Sequence, residues 1–194
     1  MAKDSSYYLG EKYNSLAKKK GYRSRAAFKL LQINKSEKLF SKNQNVLDLG
    51  CAPGGWCQVA NENIGSSGSI TGIDILEMDK IKGINFIKED LRVLNMEVIK
   101  GPKDIVISDI APNISGIAFS DTMNMIELLE IELSIVDKFL VKGGKFLAKC
   151  FEGESFLFLN KELSSRFNSV KRIKPDASRI KSNECYILGT DKNN

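Results

Sequence analysis

Between Val46 and Phe151 the chain alternates short apolar runs with helical stretches, and the runs end on or beside ionisable residues. Val46-Leu-Asp48-Leu leads into Gly50, and Ser69-Ile-Thr-Gly-Ile-Asp74-Ile carries Asp74 at its end. Ile84-Asn-Phe-Ile precedes Asp90, Asp104-Ile-Val-Ile-Ser closes on Asp109, and Lys145-Phe-Leu-Ala leads to Lys149. Runs this short and this rich in branched residues read as buried strands. Helices between them imply βαβ units and a mostly parallel sheet. A doubly wound α/β fold places ligands outside the carboxyl ends of its strands, so these polar residues mark a candidate site.

The intervening segments predict helices over 54–63, 122–140 and 154–167, with Gly143-Gly144 expected to stop the second. Upstream, Ser24 reads as the cap of a short helix reaching Ile33, with an apolar face at Ala26, Ala27, Leu30, Leu31 and Ile33. Ser169–Ile173 and Glu184–Gly189 read as a closing antiparallel pair. The expected architecture is a seven-stranded, mostly parallel sheet with helices on both faces. The 194 residues suit one domain, drawn here as 22–190, after a basic and partly flexible arm over 1–21 and before a tail at 191–194.

The loop after the first strand, Gly50-Cys-Ala-Pro53-Gly54-Gly55-Trp56, lies between a strand and a helix. It is not GxGxxG, and Pro53 removes an N–H that a pyrophosphate cradle would use. Asp74, at the end of the next strand, can accept both hydroxyls of a ribose. Together these features point to an adenosine cofactor without a diphosphate, S-adenosylmethionine, with NAD still open on these grounds alone. Trp56, at the loop's edge, is either core packing or a cofactor contact.

The chain has no histidine, which removes Ser-His-Asp and Cys-His catalysis and His-ligated zinc. Any general base is a carboxylate, lysine, tyrosine or cysteine. Cys51, Cys57, Cys150 and Cys185 form no CxxC, so neither a zinc cluster nor a disulfide framework is expected. No apolar run approaches the roughly 20 residues that cross a bilayer, and the first residues carry no apolar secretory segment. A cytoplasmic protein without membrane contact or structural metal is expected.

Charge is partitioned along the chain. Residues 1–30 carry eight Lys/Arg against two Asp/Glu, residues 31–160 thirteen against eighteen, and residues 161–181 seven against two. Two basic segments thus flank an acidic middle. Brought together, they would form one face suited to a polyanion. Tyr7, Tyr8, Tyr13 and Tyr22 interleave with the first segment's cations, and rings so placed can stack on unpaired bases.

Five segments carry a resemblance: Tyr22-Arg-Ser-Arg-Ala-Ala-Phe-Lys29, Asp48-Leu-Gly-Cys-Ala-Pro-Gly-Gly-Trp56, Ser108-Asp-Ile-Ala-Pro-Asn113, Phe146-Leu-Ala-Lys149-Cys-Phe, and Pro175-Asp-Ala-Ser-Arg179 with Glu184-Cys-Tyr-Ile. Spread from Tyr22 to Thr190, they resemble the FtsJ/RrmJ family of RNA ribose 2′-O-methyltransferases. The resemblance implies a Rossmann-like methyltransferase fold that uses S-adenosylmethionine. It also implies a catalytic tetrad at Lys29, Asp109, Lys149 and Glu184, with cofactor contacts at Gly54, Trp56, Asp74, Asp90 and Asp109. In that scheme Lys149 accepts the proton of a ribose 2′-hydroxyl, its pKa lowered by burial and by Lys29, while Asp109 and Glu184 orient the lysines. Arg23, Arg25, Lys171, Arg172, Lys174, Arg179 and Lys181 are candidate phosphate contacts. The implied partner is ribosomal RNA of the large subunit, with a uridine as target and the enzyme a monomer. The alternatives are a transfer-RNA anticodon-loop methyltransferase and a non-catalytic RNA-binding assembly factor.

Overall fold

A computed structural model describes residues 5–178 and 182–193, with the backbone alone for 5–10. The strands are β1 (Asn45–Leu49), β2 (Ser69–Asp74), β3 (Ile84–Lys88), β4 (Lys103–Ser108), β5 (Leu140–Phe151), β6 (Phe167–Ile173) and β7 (Glu184–Lys192). They form one sheet in the order β3-β2-β1-β4-β5-β7-β6. The pairings from β3 through β5 are parallel; β7 lies antiparallel to both β5 and β6. The helices are α1 (Ser5–Lys20), α2 (Ala27–Glu37), α3 (Gly55–Ile64), α4 (Ala118–Phe139) and α5 (Glu154–Arg166).

Strand side chains alternate between two apolar layers, as the pleat requires. Val46, Ile105, Ile107, Leu147, Tyr186 and Leu188 pack with Ala27, Leu30 and Ile33 of α2 and with Val59 and Ile64 of α3. Leu47, Val106, Phe146, Ala148, Cys150 and Ile187 pack with Leu129, Leu133 and Val136 of α4 and Leu159 of α5. A site on the first of these faces therefore draws on α2, α3 and the strand ends they cover. No helix among the described residues is long and apolar enough to cross a membrane.

Two local expectations need correction. Ser24 is not the cap of α2. That position falls to Ala26, already in helical conformation and without a side-chain cap, after a tight turn in which Ala27 and Phe28 donate to Ser24 and Arg25 carbonyls. Gly143-Gly144 does not stop α4. The helix ends where Leu140 turns extended, and Lys192 Nζ closes it by donating to the Asp137 and Leu140 carbonyls. The glycine pair lies inside β5, near a register shift between Lys103 and Ile105. The arm is helical over Ser5–Lys20 and joined to α2: Ala17 is buried and the Tyr13 ring lies 5.4 Å from that of Phe28. Lys18, Lys19 and Lys20 fill the last turn of α1, where cations meet the negative end of the helix dipole.

Candidate active site

The loop after β1 is shaped by backbone demands. Gly50 turns with φ +71°, and a Cβ there would collide with Ile110, the residue after Asp109. The amides of Gly50 and Cys51 both donate to the Ile73 carbonyl on β2. Gly54 takes φ +109° and begins α3. Its amide goes to the Cys51 carbonyl, and a Cβ on it would come within 2.5 Å of Ile81 and 3.0 Å of Met78. Glycine here lets the 78–81 segment close over the loop.

Asp74 holds that loop by accepting from the amides of Ala52 (2.8 Å) and Leu76 (2.8 Å). A carboxylate has about four acceptor sites, so it can still take ribose hydroxyls. Ile75 and Leu76, which follow it, are exposed. Asp90 presents a half-exposed carboxylate whose Oδ1 accepts from the Arg92 amide. Next to the loop lies a cavity of about 410 Å³ lined by Arg23, Pro53, Glu77, Met78 and Asp79. Part-exposed carboxylates at the end of β2 and just beyond β3, with an apolar ledge after Asp74, fit an adenosine cofactor, whereas the cavity is lined by neither carboxylate. Trp56 is packed beneath the loop. It is 3% exposed, donates from Nε1 to the Ala26 carbonyl at 2.9 Å, and sets its ring 5.7 Å from Tyr186.

Four charged groups from four elements meet at the end of the sheet. In the β5–β7 register Lys149 faces Tyr186, and Glu184, two residues earlier, shares Tyr186's side of β7. Lys149 Nζ lies 3.1 Å from Asp109 Oδ1 and also donates to the Asp109 main-chain carbonyl. From α2, Lys29 Nζ lies 2.6 Å from Glu184 Oε1, itself fixed by the Ser178 hydroxyl at 2.9 Å. Tyr186 joins the two pairs: its hydroxyl donates to Asp109 Oδ1 at 2.6 Å, and its ring lies 5.8 Å beneath the Lys29 ammonium. Burial, then the Asp109 and Glu184 charges, pushes the Tyr186 hydroxyl well above its usual pKa, so it stays a donor. The motif Glu184-Cys-Tyr-Ile contains Tyr186 without marking its role, although the two-residue strand period from Glu184 points to it.

Two buried acids lie beneath. Asp48, one of the strand-end residues, is fully buried and accepts from the Cys57 thiol at 3.1 Å. Burial raises its pKa to about 8, the Cys57 bond opposing and the Asp109 and Asp74 charges assisting, so it is a core residue and not an exposed acceptor. On the opposite face Glu132 of α4 takes a 2.6 Å bond from the Ser108 hydroxyl, and its Oε2 has no hydrogen-bond partner among the described residues. Burial raises it to about 8 against the Ser108 bond and the Lys149 charge. Its folded pKa exceeds the unfolded one, so between about pH 5 and pH 8 the unfolded chain releases a proton that the folded chain keeps. Stability therefore falls as pH rises through that window. Glu132→Gln should gain stability relative to the parent protein from pH 5 to pH 8 and level off above. Thermal melts across pH read this, and a constant difference would mean that Glu132 is ionised throughout.

The candidate phosphate contacts are dispersed. Arg23 donates to the carbonyls of Pro53, Asp79 and Lys80, tying the glycine loop to the 79–80 segment. Lys171 pairs with Glu37 at 2.8 Å, so the C-terminal basic segment does meet α2. Arg172 points the opposite way, as the next residue on a strand must. It pairs with Glu152 and lies 6.0 Å from the Phe156 ring of α5, so it cannot share one face with Lys171. Lys174 donates to the Ser182 carbonyl at 3.1 Å, and Arg25 precedes α2. Arg179, Lys181 and the side chains of Tyr7 and Tyr8 lie outside the described residues.

Strand order, an adenosine-compatible loop and a ring of charges at the carboxyl ends define a Rossmann-like methyltransferase. Residues 22–192 match the FtsJ-like methyltransferase family, and the chain belongs to that family. It is an RNA methyltransferase that uses S-adenosylmethionine. It is 41% identical over 190 residues to the ribosomal RNA large subunit methyltransferase E of Azoarcus sp. (strain BH72), covering 95% of this chain and 93% of that one. To the protein of the same name from Alcanivorax borkumensis it is 42% identical over 198 residues, covering 97% and 95%. A candidate ribosomal RNA methyltransferase from Plasmodium falciparum superposes with a TM-score of 0.77 at 30% identity, covering 88% of this chain and 98% of that one. Aeropyrum pernix fibrillarin, solved with S-adenosyl-L-methionine bound, shares the fold at a TM-score of 0.62 and 19% identity, over 92% and 76%.

Proposed function

We propose that this protein methylates the 2′-hydroxyl of one ribose, a uridine's, in large-subunit ribosomal RNA, with Lys149 as the base. The observation that carries the reading is the linkage of Lys149–Asp109 to Lys29–Glu184 through Tyr186, beside the adenosine-compatible loop. S-adenosylmethionine supplies an electrophilic methyl on a cationic sulfur. The weak partner is the ribose hydroxyl, which must be aligned and must lose its proton. A neutral Lys149 amine has two N–H groups for the Asp109 carboxylate and carbonyl it already contacts, leaving its lone pair for the hydroxyl proton. Asp109 holds that amine and places negative charge on the cofactor side. Lys29, held by Glu184 and over the Tyr186 ring, positions the ribose or its phosphate. Arg25, Lys171 and Lys174 carry phosphate contacts, joined by Arg179 and Lys181, which lie outside the described residues, and the target ribose lies in an opened, unpaired segment.

Large-subunit RNA from cells lacking this protein, incubated with the enzyme and cofactor, should gain a single 2′-O-methyluridine when mapped by mass spectrometry. A methyl on a base, a gain in a transfer-RNA anticodon loop or no gain would each sink the reading. The expected monomer is tested by sedimentation of the same preparation.

A further inference from the structure

From Ile110 to Ser120 the chain runs eleven residues without a charge, in a protein whose residues are 27% charged. This segment leaves the end of β4 directly after Asp109. It also carries most of a cluster of large exposed apolar side chains: Ile114 (62% exposed), Ile117 (65%) and Phe119 (73%), with Met123 (45%) one turn beyond on α4. Single exposed apolar residues are ordinary, but four large ones within ten residues of one loop and helix start are more than chance exposure supplies, and contiguous sets mark contact surfaces. Phe119 and Met123 are four residues apart and share a helix face.

The segment is held in shape. Asp121 accepts from the Ser115 amide and hydroxyl, each at 2.7 Å, and from the Gly116 amide at 3.1 Å. The Ser115 hydroxyl oxygen in turn accepts from the Ile117 amide at 3.2 Å, and Gly116 turns with φ +86°. These bonds occupy both oxygens of the nearest acid and hold its pKa below the usual carboxylate range. The apolar side chains are thus presented to solvent by a braced loop.

Three features select the occupant. The segment offers no cation, so it does not suit a phosphate chain. It offers an aromatic face among aliphatic side chains, the surface on which unpaired bases stack. It leaves the carboxyl end of β4 directly after Asp109, the end of the sheet at which the site lies. Resting on the RNA reading above, we infer that Ile114, Ile117, Phe119 and Met123 form an apolar platform for unpaired bases adjoining the target ribose, with the Phe119 ring as its stacking surface.

Binding of a single-stranded oligouridylate, read by fluorescence anisotropy, tests this without relying on turnover. Phe119→Ala should weaken binding by about 5- to 100-fold, the range expected for losing one stacked base. Phe119→Leu should weaken it comparably, because it keeps apolar contact and loses the ring. Phe119→Trp should restore binding, and its added emission, over that of buried Trp56, should be quenched as RNA is added. S-adenosylmethionine affinity and the slope of RNA affinity against salt should stay constant throughout. Parental affinity in Phe119→Leu would overturn stacking. A loss seen only on assembled ribosomal subunits would assign the patch to a protein partner, and a dimer abolished by Phe119→Ala would assign it to a second copy; either overturns the platform. If the parent protein bound no RNA, the RNA reading itself would fall, whereas RNA binding indifferent to Phe119 would remove the platform alone.

Discussion

Lys149→Ala should lower the maximal rate of methyl transfer by about 10²- to 10⁴-fold, the usual contribution of a positioned general base. S-adenosylmethionine should still bind, because Asp74 continues to hold the glycine loop and Tyr186 continues to hold Asp109 when Lys149 is gone. KM for RNA should change little, since proton acceptance matters only as the transition state forms. Lys149→Arg should be as inactive: a guanidinium keeps its proton, and its planar fork cannot reproduce an amine lone pair. A general fall in order is separable by melting, since Tyr186 continues to donate to Asp109 when Lys149 is gone. Lys29→Ala should instead raise KM for RNA, because Lys29 is assigned to positioning. Near-parental turnover in Lys149→Ala would move the base role to Lys29, the other amine at the site.

Residues that mark the site in the sequence do so because strand ends must be apolar until they reach ligand. Asp74, Asp109 and Lys149 stand out against their Ile, Val and Leu neighbours for that reason. The approach of Lys29 to Glu184 is different. It depends on α2 packing beside α3 over the face of β5 and β7, and no local pattern encodes it; only the resemblance joined those positions. Tyr186 was legible, since strands alternate and Glu184 already fixed the face. Arg172 fails by the same rule, because adjacency to Lys171 on a strand means opposite sides. The place of Asp48, and the choice left open at Trp56, share one reason. A polar or aromatic residue near a ligand loop can line the pocket or support it from beneath, and the sequence of the loop is the same in both cases. Gly143-Gly144 shows the limit of punctuation rules, since glycines within a strand can serve an irregularity in register as readily as they stop a helix.

Trp56→Ala should cost about 3–5 kcal/mol of folding stability, typical of emptying a buried tryptophan site. Its effect should reach the active site although the side chain touches no reacting group. The indole N–H fixes the Ala26 carbonyl just before α2, and the ring supports Tyr186, which in turn bears on Asp109 and Lys29. Losing it frees the start of α2 and one side of the Tyr186 ring together, so turnover should fall even in the folded fraction. Trp56→Phe separates the parts. It keeps most of the ring and loses the indole hydrogen bond, while the Ala26 carbonyl keeps the Lys29 amide at 3.0 Å, a cost of about 0.5–1.5 kcal/mol. Urea denaturation read by linear extrapolation gives both stabilities, and calorimetry with S-adenosylmethionine gives the cofactor affinity of Trp56→Phe. A packing role predicts lowered stability with unchanged cofactor affinity. Weakened cofactor binding at unchanged stability would return Trp56 to the pocket wall and break the proposed chain of support from the glycine loop to the lysines.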